Sequence, residues 1–174
     1  MLFQRSFHFY AAHRNQFLPD KCAGLHGHRY QVDYRTTVKR AAQHHYHATT
    51  MFHEFDALED KWRKYFDHAL LLDSDDPLLP KMQEAIKTDI MSQYWNLRML
   101  PMPSSIENLA FMLFRMLKTD LLNAFRSELD SITVRETDST ALIYDTTDYK
   151  ADLIRFPTPR RTASDAEPAS PTDS

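Results

Sequence analysis

Apolar and polar residues alternate along the first part of the chain, and this alternation predicts two strands. The odd positions of residues 3–13 are mostly apolar, which is the pattern of a strand with one buried face. A polar loop with one proline, residues 15–21, separates them from residues 26–34, whose even positions share the face of a second strand. Because the connecting loop is short, we expect the two strands to lie side by side.

The next segment predicts a short strand and a helix. Residues 39–50 are polar and histidine-rich and favour a hairpin connection, with a third strand at 51–55. Asp56 and Glu59 match a capping box, in which each side chain accepts a hydrogen bond from the other residue's backbone N–H. Apolar residues at helical spacing then predict a helix over about 57–67.

An insertion and a long helix follow. Met82, Ile86 and Ile90 recur at every fourth position and predict a short helix inside an insertion at about 75–98. Ser104 opens the longest helix, whose apolar stripe runs as far as Leu121.

The end of the chain predicts a hairpin and a tail. Residues 132–136 and 141–144 are two short strands around a turn. Proline, serine, threonine and charge dominate residues 157–174, which we expect to be disordered. The order strand pair, helix, helix, strand pair indicates an α+β fold with an antiparallel sheet, in a single catalytic domain over residues 1–156.

Composition excludes several functions. The 174 residues include only two glycines, too few for a dinucleotide-binding fingerprint or a phosphate-binding loop. A net charge of −3 offers no basic excess for nucleic acid or a membrane surface, so we expect neither as a partner. There is no membrane-length apolar run and no signal peptide pattern, and Cys22, the single cysteine, cannot form an internal disulfide. These features predict a soluble cytoplasmic protein.

Three histidines are candidate metal ligands. His26 and His28 flank Gly27 in the second strand, so they share a face with their Cα atoms roughly 6.6 Å apart. His13, at the end of the first strand, is the natural third ligand. Three histidines with an open fourth position describe a catalytic zinc site. The alternative is that these are surface or core histidines with no shared ligand.

Five motifs, in order along residues 3–145, resemble those of one family. They are residues 9–14 with 21–30 (FYAAHR and KCAGLHGHRY), 51–58 (MFHEFDAL), 66–68 (FDH), 103–108 (PSSIEN) and 134–137 (VRET). The chain is similar in these motifs to the 6-pyruvoyltetrahydropterin synthase superfamily. The spacing Cys-x-x-Leu-His-Gly-His resembles its bacterial branch, the 6-carboxytetrahydropterin synthases of queuosine biosynthesis. The family's usual threonine in the fourth motif is Ser104 here.

The resemblance implies a fold and an assembly. It implies the tunnelling fold, a four-stranded antiparallel sheet with two main helices on one face. Such chains associate as homo-oligomers, trimers or hexamers, with active sites at the interfaces. The family's zinc ligands fall on His13, His26 and His28.

The resemblance also assigns catalytic residues, each with an alternative. Cys22 would be a base with a pKa lowered by zinc and nearby cations, or else a buried, inert thiol. Asp67 and His68 would be a second acid/base pair, although a histidine at a helix end is commonly a partner of the helix dipole. Glu136 would accept two hydrogen bonds from the pterin ring, and its parity with two apolar strand positions favours this over an exposed carboxylate.

The remaining substrate contacts are more open. Ser104 lies in the PSSIEN motif and would bind substrate. Glu107 would either contact substrate or complete a capping box with Ser104. Arg14, with Lys21 and Arg29, would bind the triphosphate or lie on a solvated face. The run His44-His45-Tyr46-His47 is a second metal site or, more simply, a solvated hairpin, and Trp62 and Trp95 are core or interface residues.

The function implied is that of a zinc-dependent lyase acting on the pterin triphosphate substrate dihydroneopterin triphosphate. Its products would be 6-carboxytetrahydropterin, acetaldehyde and triphosphate. Two alternatives remain: a 6-pyruvoyltetrahydropterin synthase, which stops after triphosphate elimination, and a non-catalytic member that only binds pterin or metal.

Overall fold

The computed structural model describes residues 2–37 and 48–156, which contain six strands and four helices. These are β1 (Leu2–His13), β2 (His26–Thr37), α1 (Ala48–Phe66), β3 (Ala69–Asp73), α2 (Leu79–Thr88), β4 (Asn96–Leu100), α3 (Ile106–Phe125), β5 (Glu128–Thr137), β6 (Thr140–Asp145) and α4 (Thr146–Arg155). No helix in this part of the chain is long and apolar enough to cross a membrane.

The strands form one mixed sheet in the order β4-β3-β1-β2-β5-β6. β1, β2, β5 and β6 are antiparallel neighbours, whereas β3 runs parallel to β1, and β4 runs parallel to β3. The predicted α+β class is confirmed. The predicted four-stranded, purely antiparallel sheet is wrong in detail, because two parallel strands extend it beyond β1.

The extra strands flank the predicted helical insertion at about 75–98: β3 precedes it and β4 overlaps its end, with α2 between them. All five residues of β3 are buried, so the strand lacks the alternation that marks a strand with one solvated face. Helix α2 connects β3 to β4, as a crossover between parallel strands requires. Helix α2 ends at Thr88, before Ile90, whose side chain is 90% exposed. Ile90 therefore does not belong to the predicted apolar stripe of this helix.

The predicted strand at 51–55 is also wrong, because α1 already begins at Ala48. Asp56 and Glu59 therefore lie inside the helix and form no capping box. Both carboxylates instead accept hydrogen bonds from Arg5, and the buried Glu59 also accepts one from the Tyr34 hydroxyl at 2.8 Å. These contacts bind α1 to β1 and β2.

Two further helix starts differ from the expectation. The N-cap of α3 is Ser105, whose hydroxyl accepts from the Asn108 backbone N–H, so Ser104 and Glu107 form no capping box. Helix α4, which was not predicted, has a capping box formed by Asp145 and Asp148. The predicted tail at 157–174 lies outside the described residues, as do most of the hairpin connection and the histidine run at 44–47.

The main core lies between one face of the sheet and helices α1 and α3. The odd positions of β1 and the even positions of β2 supply its sheet side, as the alternation predicts. The apolar stripe of α3 and a fully buried Trp62 supply its helix side, whereas Trp95 is 43% exposed. Helix α2 packs on the opposite face, through a small cluster of Leu70, Leu72 and Leu79.

Leu117 offers a direct test of this core. It is fully buried in α3, so Leu117→Ala is expected to lower the free energy of unfolding by about 3 kcal/mol through lost burial and a residual cavity. Leu122→Ala is the matched control, because Leu122 lies on the same helix but is 53% exposed. Urea denaturation followed by circular dichroism measures both. Equal losses in the two variants would contradict the assigned orientation of α3.

Candidate functional site

Three histidines converge where β1 ends and β2 begins. His13 pairs with His26 across the antiparallel ladder, and His28 pairs with Ala11, so all three project from the same face of the sheet. One ligand nitrogen from each lies within 4.8 Å of the others. The predicted strand alternation is therefore what brings them together.

The backbone sets the orientation of two of these rings. A carbonyl oxygen only accepts, so Nδ1 of His13 donates to the Ser104 carbonyl at 2.7 Å, and Nδ1 of His26 donates to the Gly24 carbonyl at 2.9 Å. In each of these two rings, Nε2 is then the nitrogen that can bind a metal ion. This arrangement of a ligating nitrogen backed by a hydrogen-bonded one is typical of metal-binding histidines.

Of the three histidines, His13 has the surroundings that best fit a metal ligand. Its Nε2 is buried and has no hydrogen-bond partner among the described residues. Burial lowers the pKa of His13, against the opposing effects of the Ser104 carbonyl and the Glu136 carboxylate. A neutral imidazole with an unpartnered, buried nitrogen fits a divalent metal such as zinc.

Glu136 lies beside the histidines, as its strand parity predicts. Its Oε1 is 3.6 Å from Nε2 of His13 and 3.9 Å from Nε2 of His28, and it accepts a hydrogen bond from the Tyr30 hydroxyl at 3.0 Å. Burial and the Glu136 charge raise the pKa of Tyr30, which keeps this phenol a donor. Sequence reasoning missed Tyr30, although it follows His28 on the same face of β2.

Cys22 lies in the loop between β1 and β2, in a single 3-10 turn over Lys21–Ala23. It is half-buried, and its backbone N–H donates to the Asp20 carboxylate at 2.7 Å. Desolvation and Asp20 raise the pKa of the thiol, Glu136 adds to this, and Lys21 opposes it. The direction is opposite to the lowering expected for a base beside zinc and cations.

Asp67 and His68 form the expected hydrogen-bonded pair, but the pair does not lie beside the three histidines. The Asp67 carboxylate accepts from Nδ1 of His68 at 3.0 Å and from the Tyr10 backbone N–H at 2.8 Å. His68 has a positive φ of 56° and an 84% exposed side chain. It borders a shallow depression whose other lining residues are Tyr10, Ala11, Ala12, Gly27, His28, Arg29 and Ala69. Of the six from β1 and β2, all but Ala11 and His28 alternate with the histidine positions, so the depression lies mainly on the opposite face of the sheet.

The other predicted substrate residues divide into paired and exposed side chains. The buried Ser104 hydroxyl donates to the Arg14 backbone carbonyl at 2.7 Å. The Arg14 side chain lies 3.2 Å from the buried Asp76 carboxylate, which ties it to the loop before α2. Glu107, Lys21 and Arg29 are exposed. Ser104 thus contacts His13 directly through its backbone carbonyl, and the Arg14 carbonyl holds the Ser104 side chain in place.

We expect Ser104→Ala to weaken zinc binding by about tenfold, because the lost hydroxyl bond loosens the segment whose carbonyl orients His13. Ser105→Ala is the control. It removes the N-cap of α3 and lowers stability by about 1 kcal/mol, but leaves zinc affinity unchanged. Competition with a zinc chelator measures both affinities. Equal weakening in both variants would show a general effect on α3 instead.

Neither glycine is required by backbone conformation. No glycine among the described residues has a positive φ, and a Cβ added at Gly27 would lie 3.4 Å from the Ala11 carbonyl oxygen, an ordinary contact. Gly27 faces the depression that His68 borders. Its missing side chain therefore leaves space on that side of the sheet.

Comparison with known proteins agrees with the fold. The chain belongs to the 6-pyruvoyl tetrahydropterin synthase family, whose model matches residues 3–147. This membership indicates pterin chemistry with elimination of triphosphate. No curated protein gives a significant match.

Two solved structures share the fold. An uncharacterized protein from Wolinella succinogenes has a TM-score of 0.60 at 18% identity, covering 84% of this chain and 99% of its own. The 6-pyruvoyl tetrahydropterin synthase of Plasmodium vivax has a TM-score of 0.52 at 16% identity, covering 82% of this chain and 96% of its own.

Proposed function

We propose that this protein is a zinc-dependent lyase that converts dihydroneopterin triphosphate and one water molecule to 6-carboxytetrahydropterin, acetaldehyde and triphosphate, in queuosine biosynthesis. The observation that carries the proposal is the buried, unpartnered Nε2 of His13 beside Nε2 of His28 and the Glu136 carboxylate. The short spacing between Cys22 and His26 supports the 6-carboxytetrahydropterin branch of the family.

His13, His26 and His28 would hold the zinc, which supplies Lewis-acid polarisation of the substrate's side-chain hydroxyls when bound. Glu136 binds the pterin, because a carboxylate accepts hydrogen bonds and the pterin edge offers an amino group and a ring N–H. The Tyr30 hydroxyl holds one oxygen of that carboxylate in place. Cys22 Sγ is the base that takes a proton from the substrate side chain.

A cation at the histidine cluster would help the thiol to act in this way. Desolvation and Asp20 raise the pKa of Cys22 in the protein alone, and a nearby zinc ion would lower it. Lys21, which is adjacent to Cys22, already acts in this direction.

We propose that His68 serves a site completed by a second copy of the chain. Within one chain it borders mainly the opposite face of the sheet, is 84% exposed, and forms no hydrogen bond to the three histidines. Its hydrogen bond to Asp67 holds Nδ1 and leaves Nε2 free to exchange a proton. This supports a homo-oligomer, a trimer or hexamer, with active sites at the interfaces.

Two alternative functions have support of their own. The family model that matches is named for 6-pyruvoyl tetrahydropterin synthase, which favours a reaction that stops after triphosphate elimination. Desolvation and Asp20 raise the pKa of Cys22 in the protein alone, which is compatible with a member that binds pterin or metal without turnover.

Product analysis separates the three. Zinc-loaded protein is incubated with dihydroneopterin triphosphate, and acetaldehyde and triphosphate are quantified alongside the pterin products. The proposal expects both in equal amounts. Triphosphate without acetaldehyde would establish the pyruvoyl product, and bound substrate without either product would establish a non-catalytic member.

A further inference from the structure

A second cavity, separate from the histidine cluster, lies on the helical side of the molecule. Its volume is about 640 Å³, within the range typical of small-molecule sites. Helices α1 and α3, the segment before α3 and the end of α4 surround it. None of the three histidines, Cys22 or Glu136 contributes to its wall.

The cavity walls are mainly apolar and adaptable. They include Met102, Met112, Met116, Phe111 and Phe156. Met112 and Met116 form a second apolar face of α3, besides the stripe that packs on the sheet, and both remain partly exposed. Met102, Met112 and Met116 together are called the methionine floor below. Methionine side chains are flexible and polarisable, so this floor accepts apolar groups of varied shape.

Positive charge borders this apolar floor. Lys61 is paired with Asp120 at 2.9 Å, and Trp62 donates to the same carboxylate at 2.8 Å, so Asp120 is already satisfied. Arg155 forms a longer ion pair with Asp152, at 3.7 Å.

Arg115 is the lining cation without a counter-ion. Its guanidinium has no ion pair or hydrogen bond to any residue in the described ranges 2–37 and 48–156. It lies one turn from Phe111 and Thr119 on α3, so it borders the methionine floor and is only partly exposed. A half-buried guanidinium of this kind gains most from a carboxylate, which it binds through two parallel hydrogen bonds.

We propose that this cavity binds an amphipathic organic anion, with its hydrocarbon body on the methionine floor and its carboxylate against Arg115. A neutral apolar molecule would leave the guanidinium without a counter-ion. A polyphosphate would place its strongly hydrated charge against apolar walls. A single anionic group joined to an apolar body matches both halves of the site.

The test uses the full-length, zinc-loaded protein with octanoate as ligand and octanol as its neutral counterpart. Calorimetric titration is expected to give one octanoate site per chain, with octanol bound at least about tenfold more weakly. Competition with the fluorescent probe anilinonaphthalene sulfonate provides a second readout. Equal affinity for octanoate and octanol would overturn the assigned role of charge, and no saturable octanoate binding would overturn the site.

Three substitutions on α3 locate the binding. Arg115→Gln is expected to weaken octanoate binding at least about tenfold, and Lys118→Gln removes the same charge from the same helix outside the cavity wall and should change nothing. Met116→Trp, which fills the cavity, is expected to abolish binding. Circular dichroism and zinc content should match the unsubstituted protein throughout. Equal weakening by both charge substitutions would indicate non-specific attraction and contradict the proposal.

Discussion

His28→Ala is expected to reduce zinc affinity by at least about a hundredfold and to abolish measurable turnover, because it removes one of three candidate ligands. The remaining His13 and His26 cannot hold the ion alone in competition with a chelator. His28 is only half-buried, so its truncation leaves the core intact. Metal analysis of the purified variant, with chelator competition, measures the loss.

His8→Ala is the matched control. His8 lies on β1 at the opposite parity, is exposed, and is outside the histidine cluster. Its replacement should leave about one zinc per chain and full turnover. A His28→Ala protein that still holds a full equivalent of zinc would refute the proposed metal centre.

Cys22→Ala is expected to lower the turnover rate by about 10²-fold or more while zinc content stays the same. The thiol is the candidate base, and it is not a member of the ligand cluster. Steady-state assays with dihydroneopterin triphosphate, together with metal analysis, separate loss of a proton acceptor from loss of the metal.

Ala23→Ser provides the comparison for Cys22, since it alters the next residue of the same 3-10 turn without removing an acid/base group. Its activity should remain near that of the unsubstituted protein. If Cys22→Ala retained full activity as well, the thiol would be structural, and another group would have to accept the proton.

The parts of the fold that sequence predicted are those set by local periodicity. Alternation in β1 and β2 was sufficient to place His13, His26 and His28 on one face, because strand register and parity determine which side chains meet. The long stripe of α3 was equally clear, since its buried leucines repeat at helical spacing over about three turns.

The parts that were missed depend on tertiary contacts. Residues 51–55 were predicted as a strand, but Phe55, Trp62 and Phe66 bury the same face of one long helix. β3 is buried on both faces and so has no alternation to detect. The hydrogen bond from Tyr30 to Glu136 joins residues 106 positions apart, and no local pattern reports it.

The backbone contacts of the histidines have a consequence for how this site tolerates mutation. The acceptors that orient His13 and His26 are the main-chain carbonyls of Ser104 and Gly24, which every amino acid possesses. A point mutation at either position changes a side chain but leaves the acceptor itself in place. Selection on ring orientation therefore acts on the path of the chain and on the contacts that hold that path, such as the bond from the Ser104 hydroxyl to the Arg14 carbonyl, and not on the acceptor atoms themselves.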